Sequence, residues 1–332
     1  MAALAVPAGP PGLAWHTDLD AARKEAAATG RPILSLRLLG RLDEPLSCAN
    51  SRFFRSVLYA DPVVAAALRD RFVLHWSSER PVPVVTVDFG DGRRLRRTLT
   101  GNSVHYVLDA AGRPVDAVPG LYSPAAFLRT LKAAEETHRA CGNADARDAC
   151  LRRRHAARLA ALEQAWVRDV AAVGLAGTMP PWRAGEERSS GALAADGRAY
   201  AKSLAERPLL RAVLGTRPEA RPREDEPWRR LADLPAAGGS LGAAARGRMA
   251  AEGATLGDAV RFERAAAVDT VRNEYALHSR INRWFAEGEV SDFERLNERV
   301  YRELFLTPRS DPWLGLAPAD AYAALPRGGL EQ

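Results

Sequence analysis

Cys48 and Ser51 stand in C-x-x-S spacing within Cys48-Ala49-Asn50-Ser51, at the expected start of a helix. A sulfur over the first turn of a helix faces unpaired backbone N–H groups and the positive end of the helix dipole, and both favour the nucleophilic thiolate. Ser51 falls one turn later, where a two-cysteine redox site carries its second sulfur, and is expected to donate a hydrogen bond to the thiolate. The chemistry this implies is nucleophilic: a mixed disulfide or a sulfenic acid at Cys48. Without a second sulfur in the motif, resolution would need glutathione, a second protein, or Cys141 or Cys150 folded over the site. The bland reading of the same residues is a small, partly buried helix start.

The other reactive side chains are sparse. Cys141 and Cys150 are nine residues apart, and the Gly142-Asn143 turn between them could bring them together as a disulfide or redox pair. Two unrelated thiols at a helix junction are the expectation. His75 beside Trp76 reads as a strand-face residue. Glu274 and His278 share a helical face at a spacing metals can use, but a second such pair is lacking, so no metal is expected. No Gly-x-Ser-x-Gly elbow supports a serine hydrolase.

The elements that must position the thiol read clearly. Residues 17–29 predict a helix with Thr17 or Asp18 as N-cap and Gly30 as terminator. Arg31-Pro32 leads into an apolar strand, Ile33 to Leu39, and a turn over 40–45 precedes Ser47, the expected cap of the Cys48 helix, which should run to about Leu58. Asp61-Pro62 opens another helix. Strands are expected at 72–76, 84–89, 104–109 and 115–118, the last two joined by a turn at 110–114, and a helix at 125–139. Beyond about residue 140 the strands vanish. Helices are expected at 151–173, around 191–214 and 226–234, and at 257–287 and 290–305. Residues 174–240 are broken by Gly, Pro and charge. The domain reading is a flexible stretch 1–12, an α/β domain over 13–139 and a mostly helical part over 140–332.

Composition narrows the classes. The chain has 332 residues, 47 basic against 41 acidic, and only three cysteines, too few for a disulfide-scaffolded secreted fold. Arginine, alanine and glycine dominate, a bias that a GC-rich coding sequence would give. Arg93-Arg94, Arg96-Arg97 and Arg152-Arg153-Arg154 lack aromatic interleaving, so a nucleic-acid partner is not expected. No apolar run reaches the roughly 18 residues needed to span a bilayer. No basic-then-apolar leader opens the sequence, so the expected location is cytoplasmic, with no membrane association.

Taken in order, Trp15 before the first helix, Ala28-Thr29-Gly30-Arg31-Pro32 before the strand, Cys48 after it, Asp61-Pro62, Phe72-Val73 and the hairpin with Asp109, Gly112 and Pro114 resemble the thioredoxin superfamily over roughly residues 13–137. The resemblance implies a thioredoxin-like mixed sheet with flanking helices. It also puts Asn102, Ser103 and His105 beside Cys48, with Ser103 where the family carries a cis-proline. A non-proline cis bond costs about 2.5–4 kcal/mol, so Asn102–Ser103 is expected to be trans. The implied function is a monothiol thiol-disulfide oxidoreductase or redox factor, with no cofactor, acting on a protein thiol or disulfide or on glutathione. The alternative is a non-catalytic thioredoxin-fold module that binds a peptide or protein, with Trp182, Trp228, Trp284 and Trp313 anchoring its helices.

Overall fold

The computed structural model describes residues 12–142, 146–183, 192–214, 226–238, 240–290 and 292–316. The expected N-terminal stretch 1–12 and the Pro-rich segment around Arg217 to Pro222 lie almost wholly outside them. The chain enters at a two-residue strand, β1 (Trp15–His16), then α1 (Leu19–Thr29), whose N-cap Asp18 accepts from Asp20 N and whose end is turned by Gly30 at φ 70°. The apolar run becomes β2 (Ile33–Leu39), buried along its whole length. After a loop come α2 (Ala49–Phe53), a π-helical turn Phe54–Leu58, and α3 (Pro62–Arg71), opened by Asp61.

β3 (Val73–Arg80) runs four residues past the expected end at Trp76. β4 (Val84–Asp88) pairs with β5 (Arg94–Thr98), a strand hidden in the sequence because its residues are mostly arginine and it is exposed. β6 (Val104–Leu108), β7 (Pro114–Pro119) and α4 (Pro124–Cys141) complete the N-terminal part. The main sheet has five strands in the order β1-β3-β2-β6-β7. β1, β3 and β2 are parallel, while β6 runs antiparallel to both β2 and β7.

The C-terminal part is helical: α5 (Arg147–Ala172), α6 (Ala192–Asp196), α7 (Tyr200–Leu214), α8 (Glu226–Leu231), α9 (Ala243–Ala251), α10 (Leu256–Arg272), α11 (Ser279–Ala286) and α12 (Phe293–Arg299). The two long helices expected over 257–287 and 290–305 each contain a π-helical turn, at Asn273–His278 and Val300–Leu304. Neighbouring residues of a strand face opposite sides of the sheet. On β6, His105 packs between Phe54 and Phe127, ring centroids 4.7 and 5.0 Å away, so the π-helical turn after α2 and α4 cover that face. Tyr106 points the other way, against Phe293 at 5.0 Å and donating to Asn297 at 3.0 Å, so α12 covers the opposite face. One apolar cluster thus runs from Ile33, Leu36 and Val107 of the sheet into Ile281, Trp284 and Leu296 of the helices.

The protein is mixed α/β, and among the described residues no helix is long and apolar enough to cross a membrane. Two expectations are corrected. Cys141 and Cys150 are not unrelated thiols: they form a disulfide, because the end of α4 and the start of α5 bring their Cα atoms to 5.6 Å. Trp313 is 42% exposed and anchors little, whereas its neighbour Leu314 is buried. Trp182 and Trp228 do pack, both against Trp166, and Trp284 is buried beneath Arg299.

Candidate functional site

The sheet brings two loops together at one end. The first follows β2 and carries Cys48; the second, Thr100 to Ser103, precedes β6, the strand paired beside β2. The Cys48 N–H donates to the Leu39 carbonyl at 3.1 Å, which ties the cysteine back to the end of β2. Cys48, and not Ser47, is the cap residue of α2, and its side chain caps no backbone N–H. Its sulfur lies instead 3.0 Å from Ser103 Oγ and donates to Ser51 Oγ at 3.4 Å. Ser51 therefore accepts from the thiol; its own proton is directed to Ser47 Oγ at 2.7 Å or the Cys48 carbonyl at 2.8 Å.

The two loops are fitted closely. Gly101 holds φ +87°, and a Cβ there would meet Leu39 at 3.0 Å and Cys48 Cβ at 3.2 Å, so the loop passes where only glycine fits. Asn50 Nδ2 donates to Asn102 Oδ1 at 3.2 Å and clips the start of α2 to the facing loop. No described peptide bond is cis, Asn102–Ser103 included, which leaves the Ser103 hydroxyl free to face the sulfur.

The other expected residues sort differently. His105 is two residues along β6 from Ser103, where its Nε2 meets the Tyr59 hydroxyl at 2.7 Å. Burial pushes its pKa down to about 3, so it is neutral at ordinary pH. His75 pairs with Ser35 Oγ at 2.8 Å and is likewise pushed by burial down to about 4. His278 faces Asp116 at 2.9 Å. Among the described residues no three His, Cys, Asp or Glu side chains gather as a metal site.

The Cys141–Cys150 bond lies at the far end of the sheet. Arg147, three residues before Cys150, pairs with Asp109 just beyond β6, whereas Ser103 is just before it. Five strand residues at about 3.3 Å each separate the two ends by roughly 16 Å, so neither sulfur of the pair sits over Cys48.

Several contributors escape the sequence reading. Arg52 donates to the Ser47 carbonyl at 2.8 Å and to Thr98 Oγ1, and Arg55 to the Leu42 carbonyl, so both pin the rim around Cys48. Burial lowers both guanidinium pKa values, and the Cys48 sulfur opposes that shift. Their i, i+3 spacing on the Cys48 helix was the one available signal. From the C-terminal part come Lys202 and Glu206 of α7 and Tyr301, which bond to the backbone of Thr100 to Asn102. Cys48 itself is 0% exposed.

Comparison of the chain with known protein families, with curated proteins and with solved structures finds no match.

Proposed function

We propose that this chain is a thioredoxin-like protein with a monothiol C-x-x-S site, a thiol redox factor whose Cys48 exchanges with a disulfide of a protein partner or of glutathione. The observation that carries the reading is the 3.0 Å contact between Cys48 Sγ and Ser103 Oγ, made across the two loops that end β2 and begin β6. The strand order β1-β3-β2-β6-β7, in which β6 alone runs against the others, supports the same reading. In the reaction the Cys48 thiolate attacks one sulfur of the partner's disulfide. A mixed disulfide forms, and the partner's other sulfur leaves as a thiolate. Ser51 has no sulfur with which to resolve that intermediate, so an external thiolate such as glutathione attacks the partner's sulfur, forms a new disulfide with it and releases the Cys48 thiolate. Arg52 and Arg55 place positive charge near the sulfur, and Ser103 can donate to it.

A second reading, a non-catalytic scaffold for a peptide or protein partner, is favoured by one observation: Cys48 has no exposed surface. Incubation with oxidised glutathione, followed by mass spectrometry of the intact chain, separates the two. The redox reading expects one glutathione adduct on Cys48 that is lost in Cys48→Ser. Absence of an adduct even from a variant whose Cys48 is demonstrably accessible would leave the scaffold reading.

The bonded Cys141–Cys150 pair supports an oxidising compartment over the expected cytoplasm, since reducing pools keep structural thiols open.

A further inference from the structure

The loop that faces Cys48 is held from outside by three side chains of the C-terminal part. Glu206 Oε2 accepts from Thr100 N at 2.8 Å, Lys202 Nζ donates to the Gly101 carbonyl at 3.2 Å, and the Tyr301 hydroxyl donates to the Asn102 carbonyl at 3.0 Å. Three consecutive backbone groups beside the thiol are thus taken by one distant region of the same chain. Further along α7, Leu210 packs on Leu99, immediately before this loop. At its other end α7 is capped by Asp269 of α10, which accepts from Ala201 N at 2.8 Å and from Tyr200 N.

This cover is built from expensive parts. Lys202 and Glu206 are 0% and 1% exposed, and their charges sit 3.8 Å apart. A buried ion pair is commonly no better than apolar residues of the same size. Around it Glu206 Oε1, Thr100 Oγ1, Asn102 Nδ2 and Asn50 Oδ1 are buried without a hydrogen-bond partner, which a buried polar atom pays for in lost hydration. Thr100, a β-branched residue, is held at φ 56°. Pro208 interrupts the hydrogen-bond ladder of α7, so the helix depends on these contacts for its place. Exposure to water would satisfy the orphan atoms and solvate both charges. An apolar cover would have no such reason to leave.

We propose that α7 is a releasable latch over the thiol: the Lys202–Glu206 pair closes the Thr100–Ser103 loop onto Cys48, and undocking of α7 opens the site without unfolding the sheet. The proposal rests on the reading of Cys48 as an exchanging thiol only for its purpose, since the motion can be measured by itself.

Cys48 is the chain's one cysteine outside the disulfide, so an aromatic disulfide reagent such as 5,5′-dithiobis(2-nitrobenzoate) reports on it alone. Labelling of the full chain is followed in increasing urea. A latch predicts a labelling rate that is nearly independent of urea at low concentration, because little surface is exposed on opening. Leu210→Ala should speed that rate at least roughly tenfold, given the usual cost of a buried Leu→Ala change. The double variant Lys202→Met, Glu206→Leu should speed it as well, because it strips the Thr100 N–H and the Gly101 carbonyl of their partners. If labelling in every variant instead follows urea with the slope of global unfolding, the latch is overturned. If Leu210→Ala labels fast at zero urea yet takes no glutathione from its oxidised form, the latch stands and the redox function fails.

Discussion

Two buried polar clusters on the main sheet, one around Asp116 and one beside the thiol, are partnered to different degrees. Asp116 accepts from Arg158 at 2.6 Å and from the Ala117 N–H at 2.8 Å, and pairs with His278 at 2.9 Å. His155 has Nδ1 2.8 Å from Asn282 Oδ1 and Nε2 2.9 Å from the Val115 carbonyl, and its ring stacks on Phe285. Burial pushes the Asp116 carboxyl up, but His278 and Arg158 outweigh it and hold it well below the usual carboxylate range. The disulfide closes the far end of the sheet. Beside the thiol, Glu206, Thr100, Asn102 and Asn50 each keep a buried atom without a partner, and burial pushes Glu206 up to about 7. A fully partnered buried network fixes one arrangement, whereas a half-partnered one leaves its members something to gain by separating. The Asp116 cluster is therefore the anchor of the C-terminal helices, and the thiol cluster is where they can let go.

The largest test of that contrast is at the anchor. Asp116→Ala strands Arg158 and His278 without their buried partner and should cost about 3–5 kcal/mol of unfolding free energy by urea titration, with Cys48 labelling at low urea unchanged. A loss under about 1 kcal/mol would erase the distinction between the clusters. Next, Cys150→Ser, or reduction of the native chain, should cost about 2–3 kcal/mol, the loop-closure value for so short a separation. In the same experiment, a thiol titration of the denatured, unreduced protein should find one free thiol rather than three.

The last test is in the pH profile. Burial pushes Glu206 and Asp269 up to about 7, so between the ordinary carboxylate range and pH 7 the folded chain holds protons that the unfolded chain has released. Stability then falls as pH rises, by at most about 1.4 kcal/mol per unit for each group. His75 and His105, pushed down to about 4 and 3, work the other way: below the ordinary histidine range the unfolded chain binds their protons, and stability rises with pH. His138 and His155 are also lowered by burial and add to that limb. The two limbs overlap between the carboxylate range and about pH 7, so denaturant unfolding from pH 5 to 9 should show opposed slopes below pH 7 and a plateau above about pH 8, where neither set exchanges protons. Glu206→Gln with Asp269→Asn should remove the falling limb and steepen the rise between pH 5 and 7. A slope that is unchanged by both substitutions would remove the two carboxyls as its source.

What was legible in the sequence follows local rules. Asp18, Gly30 and Asp61-Pro62 set helix ends through bonds to their own neighbours, and the run Ile33 to Leu39 declares a strand buried on both faces. β1 was hidden because two residues carry no period, and β5 because its pairing with β4 is satisfied on the surface by arginines. The bond between Cys141 and Cys150 depends on how α5 returns along β7, through Arg147 on the Pro114 carbonyl, and no local signal states that.

Around the thiol the division is sharper. Residue type and spacing determined that Cys48 and Ser51 share one helical turn after an apolar strand, and that no second sulfur lies in the motif. Tertiary structure decided what else the sulfur meets. Ser103 reaches it because β6 pairs beside β2, and His105 is withheld because Tyr59 takes its ring. Lys202 and Glu206, an i, i+4 pair on α7, are buried over the loop that faces it. Spacing along a helix is a property of neighbouring residues, but which surface covers a helix is settled by partners a hundred or more residues away.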